Sequence, residues 1–160
     1  MTTSNAPTPV AIRLATPADR EFVLSLADRL AAFDRPAWRT REEIADGDRR
    51  ALSQALDDPQ ADTALFIAEH EEIRAGCLLM WTLEDYFSQQ MHAHVSVIAV
   101  TGDAEGRGVG RALMAHAEAW ARERGHAQIT LSVFEGNRRA QALYEKVGYA
   151  SEMRRYVKRL

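Results

Sequence analysis

The 160-residue chain has little cysteine and no long apolar run. Its single cysteine, Cys77, excludes an intrachain disulfide and a zinc site built from several cysteines. No stretch approaches the roughly 20 apolar residues that a membrane-spanning helix needs. The first residues are polar and do not resemble a signal peptide. We therefore expect a cytoplasmic protein that does not bind a membrane.

The chain also has no excess of positive charge, although arginine is plentiful. The formal net charge is −3 and the pI is near 6.0, so the basic footprint of a nucleic-acid-binding protein is missing. The arginines gather in short clusters, which suits a small phosphorylated ligand. The length and the 46% content of hydrophobic residues fit one globular domain. We expect a flexible tail over residues 1–9 and a single domain over residues 10–160.

The hydrophobic pattern predicts both strands and helices. We predict strands over residues 10–14, 64–68, 73–81, 93–100, 129–133 and 151–157, with a hairpin turn at residues 69–72. We predict a helix that begins at Pro17 and ends before Pro36, and others over residues 40–56, 109–124 and 138–147. Thr40 with Glu43 forms a capping box, and Asn137 is a good N-cap. This order predicts an α/β (α+β) fold with helices on the faces of one sheet.

A glycine-rich loop joins a predicted strand to a predicted helix at residues 100–113. Glycine admits positive φ and close approach of a ligand, and the first turn of a helix presents unpaired N–H groups. The loop therefore predicts an anion site suited to a pyrophosphate, although a plain turn is the alternative. The loop lacks the Gly-Lys-Ser/Thr of the Walker motif. The chain also lacks the acidic residue that ends the next strand in the dinucleotide-binding fingerprint. The loop contains Gly106, Gly108 and Gly110, with Arg107 and Arg111 beside them.

Two segments resemble the coenzyme-binding motifs of the GNAT superfamily of N-acetyltransferases. Residues 98–113 are similar to the family's strand ending in valine followed by (Gln/Arg)-x-x-Gly-x-(Gly/Ala), with Gly108 and Gly110 at the small positions. Residues 133–149 resemble the family's strand–Asn–helix–Tyr stretch. The resemblance implies a mixed, mostly antiparallel sheet split by the coenzyme. It also implies transfer of an acetyl group from acetyl-coenzyme A to an amine, with no metal.

The resemblance further implies which residues hold the coenzyme. Tyr144 would face the coenzyme sulfur as a catalytic residue, and Asn137 would lie beside the coenzyme. Glu105 stands where the family has Gln or Arg. Its carboxylate would repel the pyrophosphate, so we expect it to weaken coenzyme binding, and the positive charges of Arg107 and Arg111 to offset that repulsion. The expected coenzyme-binding residues are Ile98, Ala99, Val100, Gly106, Arg107, Gly108, Val109, Gly110, Arg111, Asn137 and Tyr144.

The general base is open, because many relatives use a glutamate on the strand where this chain has residues 95–98. His94 is the first candidate, since its ordinary pKa suits proton transfer and strand alternation puts it on the same side as Ser96. His92, Glu84, Asp85 and a water chain are alternatives. Cys77 lies in an apolar run and is expected to be buried and inert, which favours direct transfer in a ternary complex.

The acceptor is either a small-molecule amine or an exposed amino group of a protein. Four aromatic residues are candidates for the wall of its pocket. A non-catalytic acyl-coenzyme-A-binding sensor or partner domain is the alternative function. The oligomeric state, a homodimer included, is open. The four aromatic residues are Trp38, Trp81, Tyr86 and Phe87.

Overall fold

One twisted sheet organises the protein. The computed structural model describes residues 9–160, so the expected tail falls outside the described residues except for its last position. The first four strands pair antiparallel in chain order, and the fifth joins the fourth in parallel. The expected mixed, mostly antiparallel sheet is confirmed. The strands are β1 (Val10–Leu14), β2 (Thr63–His70), β3 (Ile73–Glu84), β4 (Met91–Val100) and β5 (Ile129–Leu131).

Helices cover both faces of this sheet. The buried residues fall into two clusters, because strand side chains alternate between the faces. One cluster includes Leu113 and Trp120, and the other includes Val23 and Leu52. The described residues form α1 (Arg20–Ser25), α2 (Ala27–Leu30), α3 (Arg41–Asp57), α4 (Val109–Glu123) and α5 (Arg138–Lys146).

Local signals at the helix and turn boundaries are confirmed in atomic detail. Thr40 caps α3: the N–H of Glu43 donates to its Oγ1 at 3.0 Å, and its own N–H donates to Glu43 Oε2 at 2.8 Å. The hairpin between β2 and β3 turns through Glu71 and Glu72, which both have positive φ, 54° and 63°. Such a two-residue turn favours asparagine and glycine, so this glutamate pair is conformationally costly.

The predicted first helix is interrupted at Leu26. The Ser25 hydroxyl donates to the carbonyl of Phe22 at 2.6 Å, and the N–H of Leu26 bonds to the carbonyl of Val23 at 3.2 Å. A side-chain donor on a helical carbonyl competes with the backbone N–H that would otherwise bond to it. This competition explains the tighter turn, with a bond three residues back, between α1 and α2. The helix ends at Leu30, well before Pro36.

The predicted last strand over residues 151–157 is wrong, and β5 is shorter than predicted. Residues 149–160 form no regular element, and those from 151 onward are exposed. An extended segment becomes a strand only when a neighbour pairs with its backbone, and no strand within residues 9–160 does so. β5 ends at Leu131 because the chain there leaves the edge of β4.

Candidate active site

The centre of the site is a gap between β4 and β5. β5 pairs with β4 over three positions, from Ala93 with Ile129 to Val95 with Leu131. Beyond that point the two strands separate, so within the described chain residues 96–100 of β4 have no strand partner on this edge. Backbone groups that face this edge are available to an extended ligand, except the carbonyl of Val100, which accepts from Arg29 Nε at 3.1 Å.

A β-bulge marks the start of this gap. Leu79 of β3 pairs with Val97 and Met80 pairs with Val95, so Ser96 is the extra residue. A bulge breaks strict alternation of side chains. The expectation that His94 and Ser96 share one side by alternation therefore does not follow from the observed register.

A cavity of about 400 Å³ opens at the gap, a volume suited to a small ligand. Its walls come from four places: the loop and helix on the α3 side, the bulged part of β4, the segment after β5, and α5. A second cavity of about 410 Å³ lies beyond the other end of β5. The first is lined by Leu30, Phe33, Arg39, Glu43, Ile44, Gly47, Asp48, Arg50, Val95, Ser96, Val97, Ile98, Leu131, Ser132, Val133, Phe134, Asn137, Ala140 and Tyr144.

Aromatic contact closes one rim of this cavity. Phe33, which follows α2, stacks on Phe134 with ring centroids 5.0 Å apart. Gly136 lies against the loop that follows α2, and a Cβ on Gly136 would be 1.7 Å from the carbonyl oxygen of Asp34. Close approach of two backbones therefore requires glycine at this position. The aromatic side chains in the wall are Phe33, Phe134 and Tyr144, and the four expected from the sequence are not in it.

The glycine loop builds the predicted helix N-terminus. Gly108 is the residue before α4 and has φ 82°, and Gly106 has φ 74°. The first helical bond runs from the N–H of Ala112 to the carbonyl of Gly108 at 3.0 Å. The N–H groups of Val109, Gly110 and Arg111 are therefore outside the helical ladder and can bind an anion.

Gly110 has a different role from the other two glycines. A Cβ there would lie 3.3 Å from Leu143 Cδ2 and 3.8 Å from Val100 Cγ2. The absent side chain thus lets α4 approach α5 and the end of β4. This packing holds the helix N-terminus beside the open edge of β4.

Glu105 is neutralised by arginines other than the expected ones. Its Oε1 accepts from Arg139 Nη1 at 2.7 Å and from Arg29 Nη2 in a still shorter contact. These partners hold the pKa of the Glu105 carboxyl below its ordinary value, chiefly through the hydrogen bond from Arg139. Arg107 and Arg111 are exposed, and they form no ion pair with any residue from 9 to 160. Both are thus available to a ligand.

Asn137 and Tyr144 both line the cavity from α5. Asn137 caps the helix, and its Oδ1 accepts from the N–H of Ala140 at 3.3 Å. Tyr144 is 9% exposed, and burial raises its pKa above the ordinary value. Its phenol is therefore a neutral hydrogen-bond donor across the working range of pH.

The two histidines of β4 meet at one hydroxyl. His94 Nδ1 lies 2.8 Å and His92 Nε2 lies 3.0 Å from Oγ1 of Thr130. Burial, with a smaller contribution from His92, lowers the pKa of His94. Within residues 9–160, the cavity lining does not include either ring.

The acidic alternatives lie where β3 ends and the turn to β4 begins, and the cysteine lies in the core. Asp85 accepts hydrogen bonds from the N–H and hydroxyl of Ser88 in the β3–β4 turn, which lower its pKa. Glu84 is exposed at the end of β3. Cys77 is fully buried, and burial raises the pKa of its thiol to about 12, so it is an inert core residue as expected.

Asp48 was missed by sequence reasoning. It lines the cavity from α3, and burial raises the pKa of its carboxyl to about 6. A signal for it does exist in the sequence. Asp48 lies between Ala45 and Leu52 at helical spacing, so it occupies a position of α3 that an apolar residue would normally take.

The described residues contain neither a metal-like cluster nor a membrane-length helix. Between residues 9 and 160, no three His, Cys, Asp or Glu side chains converge as metal ligands would. None of the helices found in that range combines the length and the apolar character needed to cross a bilayer.

Comparison with known proteins identifies the fold and the family. A model described as the acetyltransferase (GNAT) family matches residues 25–149. No curated protein matches the chain in a sequence search. Similar solved structures include a ribosomal-protein-alanine N-acetyltransferase from Brucella melitensis biovar Abortus 2308 (20% identity, 95% of this chain and 100% of that one, TM-score 0.68). Another is an aminoglycoside N-acetyltransferase in complex with CoA, with 17% identity over 97% of this chain and 97% of that one and a TM-score of 0.69. A third is a transcriptional regulator from Bacillus halodurans C-125, with 22% identity over 95% of this chain and 100% of that one and a TM-score of 0.71.

Proposed function

Because this chain belongs to the GNAT family of acetyltransferases, we propose that it moves the acetyl group of acetyl-coenzyme A to an amine by direct transfer in a ternary complex. One observation carries the proposal. The open edge of β4 and Tyr144 border the same cavity, and Gly110 at the start of α4 packs against Val100 at the end of that edge.

The loop and the first turn of α4 bind the pyrophosphate. The N–H groups of residues 109–111 donate to it, and Gly106 and Gly108 supply the positive φ that exposes them. Arg107 and Arg111 add positive charge from the solvent side. The backbone of Ile98, Ala99 and Val100 pairs with the amide groups of the pantetheine arm, as an added strand would.

Tyr144 assists the departure of the thiolate. A phenol whose pKa is raised by burial is a weak acid beside a thiol of ordinary pKa near 8.5, so full proton transfer to the sulfur is uphill. Tyr144 therefore donates a hydrogen bond that stabilises the leaving sulfur as negative charge develops on it. Asn137 holds the start of α5, and with it the position of Tyr144, through its cap on Ala140.

The acceptor enters from the α3 side of the cavity. Phe33 and Phe134 supply apolar surface there, and Glu43 and Asp48 supply carboxylates that attract a cationic amine. Similar structures include one enzyme named for aminoglycosides and one named for ribosomal-protein alanine. The candidate acceptors are therefore small-molecule amines and amino groups of proteins. A cavity of about 400 Å³ favours a small amine.

A panel of small amines and N-terminal peptides, assayed by release of free thiol from acetyl-coenzyme A, tests this function. We expect turnover with at least one amine and coenzyme binding that does not depend on the acceptor. Tight coenzyme binding without turnover of any amine would support the alternative of a non-catalytic sensor domain. That alternative is motivated by Glu105 in the pyrophosphate loop and by the likeness to a protein named as a transcriptional regulator.

A further inference from the structure

Asp48 is a carboxylate on the sheet-facing side of α3. Ala45 and Leu52, three residues before it and four after it, are fully buried beneath the helix. Helical residues at this spacing share one face, so Asp48, which is half-buried, lies on the side of α3 that faces the sheet. Asp48 lines the same cavity as Ser96 at the bulge.

This carboxylate has no partner among residues 9–160. Burial is the sole cause of the upward shift of its pKa, with no compensating hydrogen bond or positive charge. Asp46, two residues earlier, shows the ordinary alternative, because it pairs with Arg49 at 2.6 Å on the outer side of the helix. A half-buried acid without a partner is still costly, and such groups concentrate where function needs them.

Charged and titratable groups that share the cavity wall with Asp48 come from three parts of the chain. Glu43 and Arg50 share α3 and the cavity wall, Arg39 comes from the preceding loop, and Tyr144 comes from α5. The thiol of Cys77 on β3 lies near enough that the charge of Asp48 contributes to its raised pKa. The cavity-facing stretch of β4, residues 95–98, carries no titratable side chain. Glu43, the other carboxylate in this wall, is exposed and accepts a hydrogen bond from the N–H of Thr40 at 2.8 Å.

We propose that Asp48 accepts the proton of the acceptor amine, which enters the cavity as an ammonium ion. This inference rests on the proposed function. The same low-polarity surroundings that favour the protonated acid also favour the neutral amine, so the two pKa values move towards each other in the cavity. A base whose pKa lies near the working pH is well suited to this transfer.

One N–H bond of the ammonium breaks and its proton goes to the carboxylate of Asp48. The lone pair on nitrogen then forms the C–N bond to the acyl carbon, and the C–S bond breaks with its electron pair on sulfur. The nitrogen loses a second proton, and the sulfur gains one to become the thiol. Asp48 finally returns its proton to solvent.

His94 is the competing base, and its surroundings do not suit that role. Its Nδ1 is engaged by Thr130, and its ring is stacked against Trp81 at 6.3 Å between centroids. It is outside the cavity wall that Asp48 and Tyr144 share, within residues 9–160.

The test compares the pH dependence of kcat/KM in the wild type, Asp48→Asn, Asp46→Asn and His94→Gln, with the best amine of the panel. The wild type should lose activity below a pH of about 6. Asp48→Asn should be slower at pH 7 by about 10²- to 10⁴-fold, with unchanged affinity for coenzyme A alone. Its deficit should shrink as pH rises, because free amine becomes abundant. Asp46→Asn should match the wild type.

A β-fluorinated analogue of the same amine separates proton removal from binding. Fluorine lowers the pKa of the amine and changes its shape little, so the analogue arrives uncharged. Asp48→Asn should then recover to within about 10-fold of the wild type, whereas a residue that only shapes the pocket would show the same deficit with both amines. Equal deficits, or loss of the acidic limb in His94→Gln but not in Asp48→Asn, would overturn the proposal.

A measurement without turnover protects against a misfolded variant. Carbon NMR of aspartate carboxyls in the coenzyme-free protein should show one resonance that titrates near 6 and is missing from Asp48→Asn. Absence of any such resonance from the wild type would refute the inference and leave the proposed function intact. Failure of the wild type to acetylate any amine would refute the proposed function, and this inference with it.

Discussion

Replacing Asp48 by asparagine isolates the electrostatic cost of burying its carboxylate. Burial raises the pKa of Asp48 from 3.8 to about 6 in the folded protein. A folded pKa above the unfolded one means that the folded state binds more protons between pH 4 and 6. Stability is therefore lost as pH rises through this window and stays lower above it. A shift of about two pKa units corresponds to about 3 kcal/mol, and partial exposure to solvent reduces this to about 2 kcal/mol.

Asparagine has nearly the same shape but does not titrate, so it lacks this penalty. Asp48→Asn should be more stable than the wild type by about 2 kcal/mol at pH 8 and about equal to it at pH 4. The rise corresponds to an increase in Tm of about 4–8 °C at pH 8. A protein that is more stable and less active would fit a strained functional residue.

Denaturant unfolding at five values between pH 4 and pH 8 measures this effect directly. The quantity of interest is the difference in unfolding free energy between variant and wild type, since other titrating groups cancel in it. Asp46→Asn, on the outer side of the same helix, should show a small difference that changes little over this range. A difference for Asp48→Asn that does not grow with pH would refute the account of a desolvated carboxylate.

Three further predictions concern the coenzyme site and the fold. Tyr144→Phe should lower kcat about 10- to 100-fold with little change in coenzyme KM, as expected for a lost hydrogen bond to a developing anion; an unchanged kcat would remove it from the mechanism. Glu105→Gln should bind acetyl-coenzyme A equally or more tightly, as measured by calorimetry, because it frees Arg29 and Arg139; a large loss would contradict this. Glu71→Asn combined with Glu72→Gly should raise the unfolding free energy by about 1 kcal/mol, because the turn needs positive φ at both positions; thermal unfolding would show an unchanged or lower Tm if this were wrong.

The coenzyme side of the site could be anticipated because its signals are local. The glycines of the loop, the cap at Asn137 and the phenol at Tyr144 each belong to a short motif whose geometry is set within one turn or one helix. The observed positive φ at Gly106 and Gly108 and the cap on Ala140 agree with those expectations. The role of each residue towards the coenzyme is still a prediction.

The partners of Glu105 could not be anticipated, because they come from distant parts of the chain. Arg29 lies on α2 and Arg139 on α5, and their side chains meet at Glu105 only in the folded protein. Sequence proximity pointed instead to Arg107 and Arg111. The carboxylate of Glu105 therefore links α2 and α5 to the loop after β4, and its negative charge is compensated by these two arginines.

The amino-acid sequence by itself determined the family, the alternation of helices and strands as far as α5, and the capped helices and glycine turns, since these depend on residue types at short spacing. Only the tertiary structure decided where β5 leaves β4, that residues 151–157 find no strand partner within the described chain, and that Asp48 is partly desolvated without a counter-charge. The physical reason is the same in each case. Backbone pairing and desolvation depend on which distant groups come within a few ångströms, and spacing along the chain does not contain that information.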